Sequence, residues 1–300
     1  MTEILKAHGS RNDIFVAPLT PGDFPSGAGL REFVRALCDR SGPLGGDGIY
    51  FYDAAPATPR AWFFNPDGTS SEFCGNGMRC LGRVILDQRG TDEAVVRSGQ
   101  ASYTVSRGQT SPEGVRRIRL EHPQVEFQQV DAAVPDLDPA LTFTALTVPN
   151  PHLITLISKY VEADLVAMGE ELAPRRGPNL SFLLPVAQDD VFVRTFERGA
   201  GLTASCGSGM VASRAAWSRL GHAPQDLPVT IHNAGGVATV SLRDWRPVLE
   251  GNATYVYRAE VDPAAPLPPA VEVEDFTEEA AAYALFDDHN VRWLTTHIDG

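Results

Sequence analysis

Two short stretches of this 300-residue chain repeat the same reactive arrangement. Cys74-Gly75-Asn76-Gly77-Met78 and Cys206-Gly207-Ser208-Gly209-Met210 lie 132 residues apart and agree at four of five positions. Each opens a helical pattern: Met78, Leu81 and Ile85 in the first, Met210, Ser213, Trp217 and Leu220 in the second, with Gly90 and Gly221 where C-caps belong. Both thiols therefore belong at helix N-termini. There the unpaired amides and the helix dipole favour a thiolate and attract an anion. The glycines let a ligand approach the backbone itself. If the two halves face each other across a pseudo-twofold axis, Cys74 and Cys206 converge on one cleft. That geometry suits a carboxylate held by two sets of amides with a thiol on each side of its α-carbon. One thiolate removes the α-proton and the opposite thiol returns a proton to the other face, a 1,1-proton transfer without a cofactor. Oriented dipoles in a dry site stabilise the carbanion between the two steps.

Other uses of such turns fit less well. A phosphate cradle is disfavoured because Gly75-x-Gly77 lacks a third glycine and any P-loop Lys-Ser/Thr pair. A reversible Cys74–Cys206 disulfide is the weaker reading, since a redox switch does not need two glycine-rich helix starts. Cys38 and Cys80 lie on apolar helical positions and are expected in the core. No C-x-x-C spacing, His-rich cluster or G-x-S-x-G elbow is present, so no metal and no cofactor is expected.

The elements that must position the thiols share the repeat. The same offset lays Asp47 on Asn179 and residues 63–65 on 195–197, which makes the chain two related halves. Strands are expected at 49–52, 62–65, 94–97, 103–106, 117–120, 191–196, 229–232, 238–242 and 255–260, and a helix around 30–39 buries Phe33, Val34, Leu37 and Cys38. Many short strands with one apolar helix per half predict an α+β fold of two pseudo-symmetric lobes, each a mostly antiparallel sheet or barrel wrapped around a central helix. The expected organisation is an N-terminal lobe over 1–118, a C-terminal lobe over 119–252, a strand near 253–262 returning to the first lobe, and a C-terminal extension over 263–300.

The extension is unlike the rest. Residues 262–300 hold nine acids against the single base Arg292, a local charge of −8 within a total of −13. It opens with a Pro-rich spacer and is expected to form a short helix capped by Thr277, an appended segment without an active-site role. The acidic balance argues against nucleic acid and anionic membranes as partners. No apolar run reaches the roughly 18 residues of a spanning helix, and the N-terminus does not read as a signal peptide. A cytoplasmic protein acting on a small molecule, and a homodimer, are the expectations.

These motifs together resemble the diaminopimelate epimerase family. The resemblance runs from about Lys6 to about Glu260 on His8-Gly9, Asn12-Asp13-Ile14-Phe15, Gly46-Asp47-Gly48, Phe64-Asn65-Pro66-Asp67-Gly68, Cys74 to Cys80, Asn150-Pro151-His152, Glu197 to Gly201 and Cys206 to Gly209. It implies cofactor-independent epimerisation of L,L-diaminopimelate to the meso form, in lysine and peptidoglycan precursor biosynthesis. Cys74 and Cys206 would be the acid/base thiols, with Cys74 the base for the L,L isomer. Gly75, Asn76, Gly207 and Ser208 would hold the reacting carboxylate. Asn65, Asn150, Asn179 and Arg198 would bind the distal amino-acid end, and Asn12 would line the cleft. Glu197 and His152 match residues near the reacting amine and the thiols.

Departures from the family pattern leave alternatives open. Ser208 stands for the usual Thr, Leu202 for a Glu, Asn233-Ala234 for Leu-Pro, and Ser10-Arg11 for a small apolar pair. A related two-cysteine racemase or epimerase for another amino acid would keep both thiols without needing Arg198. A non-catalytic amino-acid-binding or thiol-switch protein would keep the turns and lose turnover.

Overall fold

The computed structural model describes residues 1–135, 137–173 and 177–298. The first run of elements is β1 (Thr2–Gly9), β2 (Asn12–Ala17), α1 (Gly27–Cys38), β3 (Gly48–Asp53), β4 (Arg60–Phe64), β5 (Ser70–Ser71), α2 (Gly75–Arg89), β6 (Glu93–Ser98), β7 (Ala101–Arg107) and β8 (Arg117–Glu121). A second run follows: β9 (Glu126–Ala132), β10 (Phe143–Thr147), β11 (Pro151–Leu156), α3 (Glu162–Leu172), β12 (Asn179–Pro185), β13 (Asp190–Glu197), β14 (Gly201–Leu202), α4 (Gly207–Arg219), β15 (Val229–Asn233), β16 (Gly236–Arg243) and β17 (Arg246–Asn252). The chain closes with β18 (Thr254–Val261), β19 (Val273–Asp275) and α5 (Thr277–His297). It divides into two compact units, Met1–Leu120 with Gly251–Phe286, and Glu121–Glu250 with Asp287–Gly300.

The units repeat one pattern of pairing. In the first, β2 and β3 are parallel, β3 and β4 antiparallel, β4 and β6 parallel, and β6 and β7 antiparallel. In the second, β11 and β12, β12 and β13, β13 and β15, and β15 and β16 repeat those four relations in the same order. In the first unit β1 pairs with both β2 and β18.

Alternation along the strands explains the layers. In β3, Tyr50 and Tyr52 join the core around α2, while Ile49 and Phe51 join the core beneath α1. β2 does the same with Ile14 and Val16 on one face and Phe15 and Ala17 on the other. α2 is buried from Asn76 through Leu86, and Gly82 lets β7 come so near that an added Cβ would sit 2.9 Å from Val105. A helix buried all round is the centre of its unit. α4 is likewise buried, and Ala212, Ser213, Ala215 and Ala216 keep it narrow enough for the surrounding strands. α3 covers the outer face of β12 through Leu165 and a core with Leu180 and Phe182.

All nine anticipated strands and the first helix are present, and the α+β architecture is as expected. The extension differs: α5 starts at Thr277 but runs for 21 residues rather than forming a short helix. It is docked by specific bonds. In the first unit Glu279 takes both prongs of the buried Arg83 at 2.6 and 2.5 Å, and Tyr283 meets the His8 ring edge-on at 4.3 Å. No helix among the described residues is long and apolar enough to cross a membrane.

Candidate active site

Each central helix begins with its cysteine as N-cap. Cys74 has extended backbone (φ −134°, ψ 110°), and its Sγ accepts from the Gly77 amide at 3.5 Å. Cys206 repeats this (φ −110°, ψ 108°), with Sγ accepting from the Gly209 amide at 3.4 Å. The third amide of each helix is thereby turned onto sulfur, at the helix end whose dipole favours an anion. The glycines are required by packing. A Cβ on Gly77 would lie 2.9 Å from the Tyr50 ring, and one on Gly209 would lie 2.4 Å from Thr195 Oγ1.

In the first unit, the half-buried Cys74 is held by Tyr50, whose hydroxyl accepts from the Cys74 amide at 2.9 Å. Arg79, fully buried one turn further on, donates to the Asn252 carbonyl at 3.1 Å and to Ser10 Oγ at 3.1 Å. Burial lowers its pKa to about 10 despite the neighbouring Cys80 and Cys74, and among the described residues it makes no ion pair with a carboxylate. Asn12 opens β2, and its Oδ1 is buried with no hydrogen-bond partner among the described residues. Asp47 anchors that strand by accepting from the Asp13 amide at 2.9 Å. Asn76 is buried beside Cys74 in the first helical turn. Asn65 instead closes its own turn, donating to Thr69 Oγ1 at 3.0 Å. Cys38 and Cys80 are buried, and burial pushes both thiols up to about 12, out of reach of thiolate chemistry near neutrality.

The second unit gathers more of the anticipated residues. Cys206 is 6% exposed, and burial and the neighbouring Glu197 carboxylate raise its pKa well above the ordinary thiol value. Glu197, its pKa raised by burial, neighbours the Cys206 thiol and accepts from Thr203 Oγ1 at 2.5 Å. Ser208 Oγ lies 3.5 Å from Cys206 Sγ. His152 and Asn179 face each other in register at the starts of β11 and β12. Asn150 Oδ1 approaches His152 Nε2 at 3.3 Å, and Asn179 Oδ1 accepts from the Arg198 amide at 2.9 Å. Leu202, which stands where the family pattern has Glu, pairs with Phe196 and packs against the core beneath α3.

Several residues that shape these half-sites carry no sequence signal. Tyr50 reads as one more buried strand aromatic, and Thr203 as a polar loop residue. Ser181 and Thr195, bonded at 2.8 Å beneath Gly209, read as strand residues. Only their position against a cysteine turn distinguishes them.

His152, through its burial, should contribute to acid sensitivity. It is 1% exposed, and burial beside His122 lowers its pKa from 6.5 to about 3. The unfolded chain takes up a proton near 6.5 that the folded chain refuses until about 3, so stability is lost as pH falls between those values. His152→Gln should flatten that limb of the stability curve, measured by urea unfolding from pH 7 to 4. An unchanged slope would show that other groups set it.

Residues 144–256 match the profile of the family described as Diaminopimelate epimerase. A curated protein of that name from Methanopyrus kandleri is 32% identical over 271 residues, 85% of this chain and 88% of the relative. Others from Clostridium acetobutylicum and Listeria monocytogenes EGD-e are 29% and 32% identical over 86% and 85% of this chain, and 85% and 87% of theirs. Among solved structures, a hydroxyproline epimerase from Agrobacterium vitis superposes with a TM-score of 0.62 at 17% identity, covering 94% of this chain and 97% of its own. A PhzF-family protein from Bacillus anthracis gives 0.64 at 14%, covering 87% and 99%. At such identities these two establish the fold alone.

Proposed function

The chain belongs to the diaminopimelate epimerase family, and from that premise we propose that it interconverts L,L- and meso-diaminopimelate by moving the α-proton between Cys74 and Cys206. It is an amino-acid isomerase. The observation that carries the finer reading is the repeated cysteine N-cap, with Sγ held 3.5 and 3.4 Å from the amide three residues on.

The two thiols differ in what surrounds them, which supports Cys74 as the resting base and Cys206 as the resting acid. Cys74 lies at a helix N-terminus, a setting that suits a thiolate, with the buried Arg79 guanidinium within electrostatic reach on the same helix. Cys206 is buried against Glu197, which favours its thiol. From the L,L isomer, the Cys74 thiolate takes the α-proton. The C–H electron pair stays on the α-carbon and spreads into the carboxylate, which the amides of Gly75, Asn76, Gly207 and Ser208 hold. Cys206 then delivers its proton to the opposite face. Cys74 ends as thiol and Cys206 as thiolate, the state that runs the reaction from the meso isomer. Glu197 and His152 serve the reacting end, Asn12 lines the site, and Asn65, Asn150, Asn179 and Arg198 take the distal amino-acid end.

The test is isotope uptake from solvent. In deuterium oxide, L,L-diaminopimelate should give meso product carrying one α-deuterium before label enters the remaining substrate, while lysine stays unlabelled. Label in lysine or another mono-amino acid but not in diaminopimelate would replace this reading with a broader racemase. Absence of label from every substrate would leave a binding or thiol-switch protein.

A further inference from the structure

We infer that Asn233 is a positioning residue for the Cys206 thiol, and that Asn290 on the C-terminal helix holds Asn233 in place. This rests on the reading of Cys206 as an acid/base thiol, and every residue involved belongs to the second unit.

Asn233 ends β15 and is 2% exposed. Its Nδ2 donates to Ser205 Oγ at 3.3 Å and to Met210 Sδ at 3.1 Å, and its Oδ1 accepts from the Gly235 amide at 3.0 Å. Ser205 immediately precedes Cys206. Met210 follows the turn and donates its amide to the Cys206 carbonyl at 3.0 Å. One side-chain amide thus grips the Cys206-Gly207-Ser208-Gly209 turn from both flanks. A second tie, from the Gly235 amide to the Ala204 carbonyl at 2.9 Å, fixes the approach to it. The glycines that open this turn to a ligand also leave it little side-chain packing, so its placement depends on such bonds.

Asn233 is in turn held by α5. Asn290, also 2% exposed, donates Nδ2 to the Asn233 carbonyl at 3.1 Å, and its Oδ1 lies 2.7 Å from His232 Nδ1. One turn on, Trp293 stacks on the His232 ring at 3.7 Å and 4°, and its indole N–H donates to Asp190 at 3.0 Å. Asp190 also approaches His232 Nε2 at 3.2 Å. The helix buries this asparagine while leaving its neighbour Val291 44% exposed. Burying polar groups costs free energy unless their bonds are made, so these contacts specify one register of α5 on β15. That register sets the Asn233 carbonyl, hence its amide, hence the flanks of Cys206. The extension is therefore part of the machinery that orients the thiol.

The test uses the full chain with Asn233→Ala, Asn290→Ala and the volume-preserving Asn290→Leu, with Cys206→Ala as reference. Three quantities are read: kcat and KM on L,L-diaminopimelate, the pH profile of iodoacetamide alkylation at Cys206 with Cys74 as internal standard, and the circular-dichroism melting curve. Variants at 233 and 290 should lose about tenfold or more in kcat with KM changed by less than about twofold, as expected when a reacting atom is misplaced. The Cys206 alkylation profile should shift while that of Cys74 stays. Folded Asn290 variants with unchanged kcat and an unchanged Cys206 profile, whatever their melting temperature, would overturn the inference and leave α5 a stabilising appendage. If Asn233→Ala does not fold, the two Asn290 variants decide. Full activity in Cys206→Ala would refute the reading of the thiol itself; the alkylation profiles would still report on its positioning.

Discussion

Cys74→Ala and Cys206→Ala should each lower epimerisation of diaminopimelate by about a thousandfold or more, because each removes a group that must carry the proton in one half of the reaction. Neither change should unfold the chain. Loss of an N-cap bond costs about 0.5–2 kcal/mol, against a typical domain stability of about 5–15 kcal/mol. Cys74 is only half-buried, so its replacement belongs at the low end. Cys206 is buried and leaves a small void as well. Separation of the diaminopimelate isomers over time, together with melting curves, measures both expectations. Cys74→Ser should retain slow exchange from one face, since a hydroxyl is a far poorer base than a thiolate. Full turnover in either alanine variant would end the two-thiol mechanism.

Arg198→Ala should have the next largest effect, and it falls on specificity. Arg198 follows Glu197 at the end of β13, and its backbone is pinned by Asn179 at 2.9 Å. A guanidinium fork suits a carboxylate held by two parallel bonds. Its loss would leave the distal carboxylate unpaired at about 1–3 kcal/mol, which at the upper end is about a hundredfold in kcat/KM. Lysine keeps the distal amine and lacks the distal carboxylate, so the intact chain should discriminate strongly against it. Any residual lysine racemisation should be nearly indifferent to Arg198→Ala. Equal wild-type rates on lysine and diaminopimelate would remove the distal clamp and favour a racemase of broader range.

The sequence by itself determined the two cysteine turns, the helices they begin and the strands that alternate cleanly. α1 was legible because Phe33, Val34 and Leu37 fall on one face, and β16 because buried residues recur at every second position. β12 was not, since Asn179 through Leu184 are buried without alternation, and such a run resembles a short buried helix. α3 escaped because Val161 caps it with no side-chain bond and only Leu165 and Gly169 are buried. The site divides in the same way. Residue types and spacing named the thiols, but presented them as equals. Tertiary structure made them different, placing the half-buried Glu197 carboxylate against Cys206, while Arg79 is buried on the helix that Cys74 begins. It also converted the acidic extension from an appendage into a helix whose Asn290 reaches the strand behind the Cys206 turn. Long-range bonds of this kind have no periodicity. They join residues 57 apart along the chain, and only the packing of α5 against β15 brings the two asparagines together.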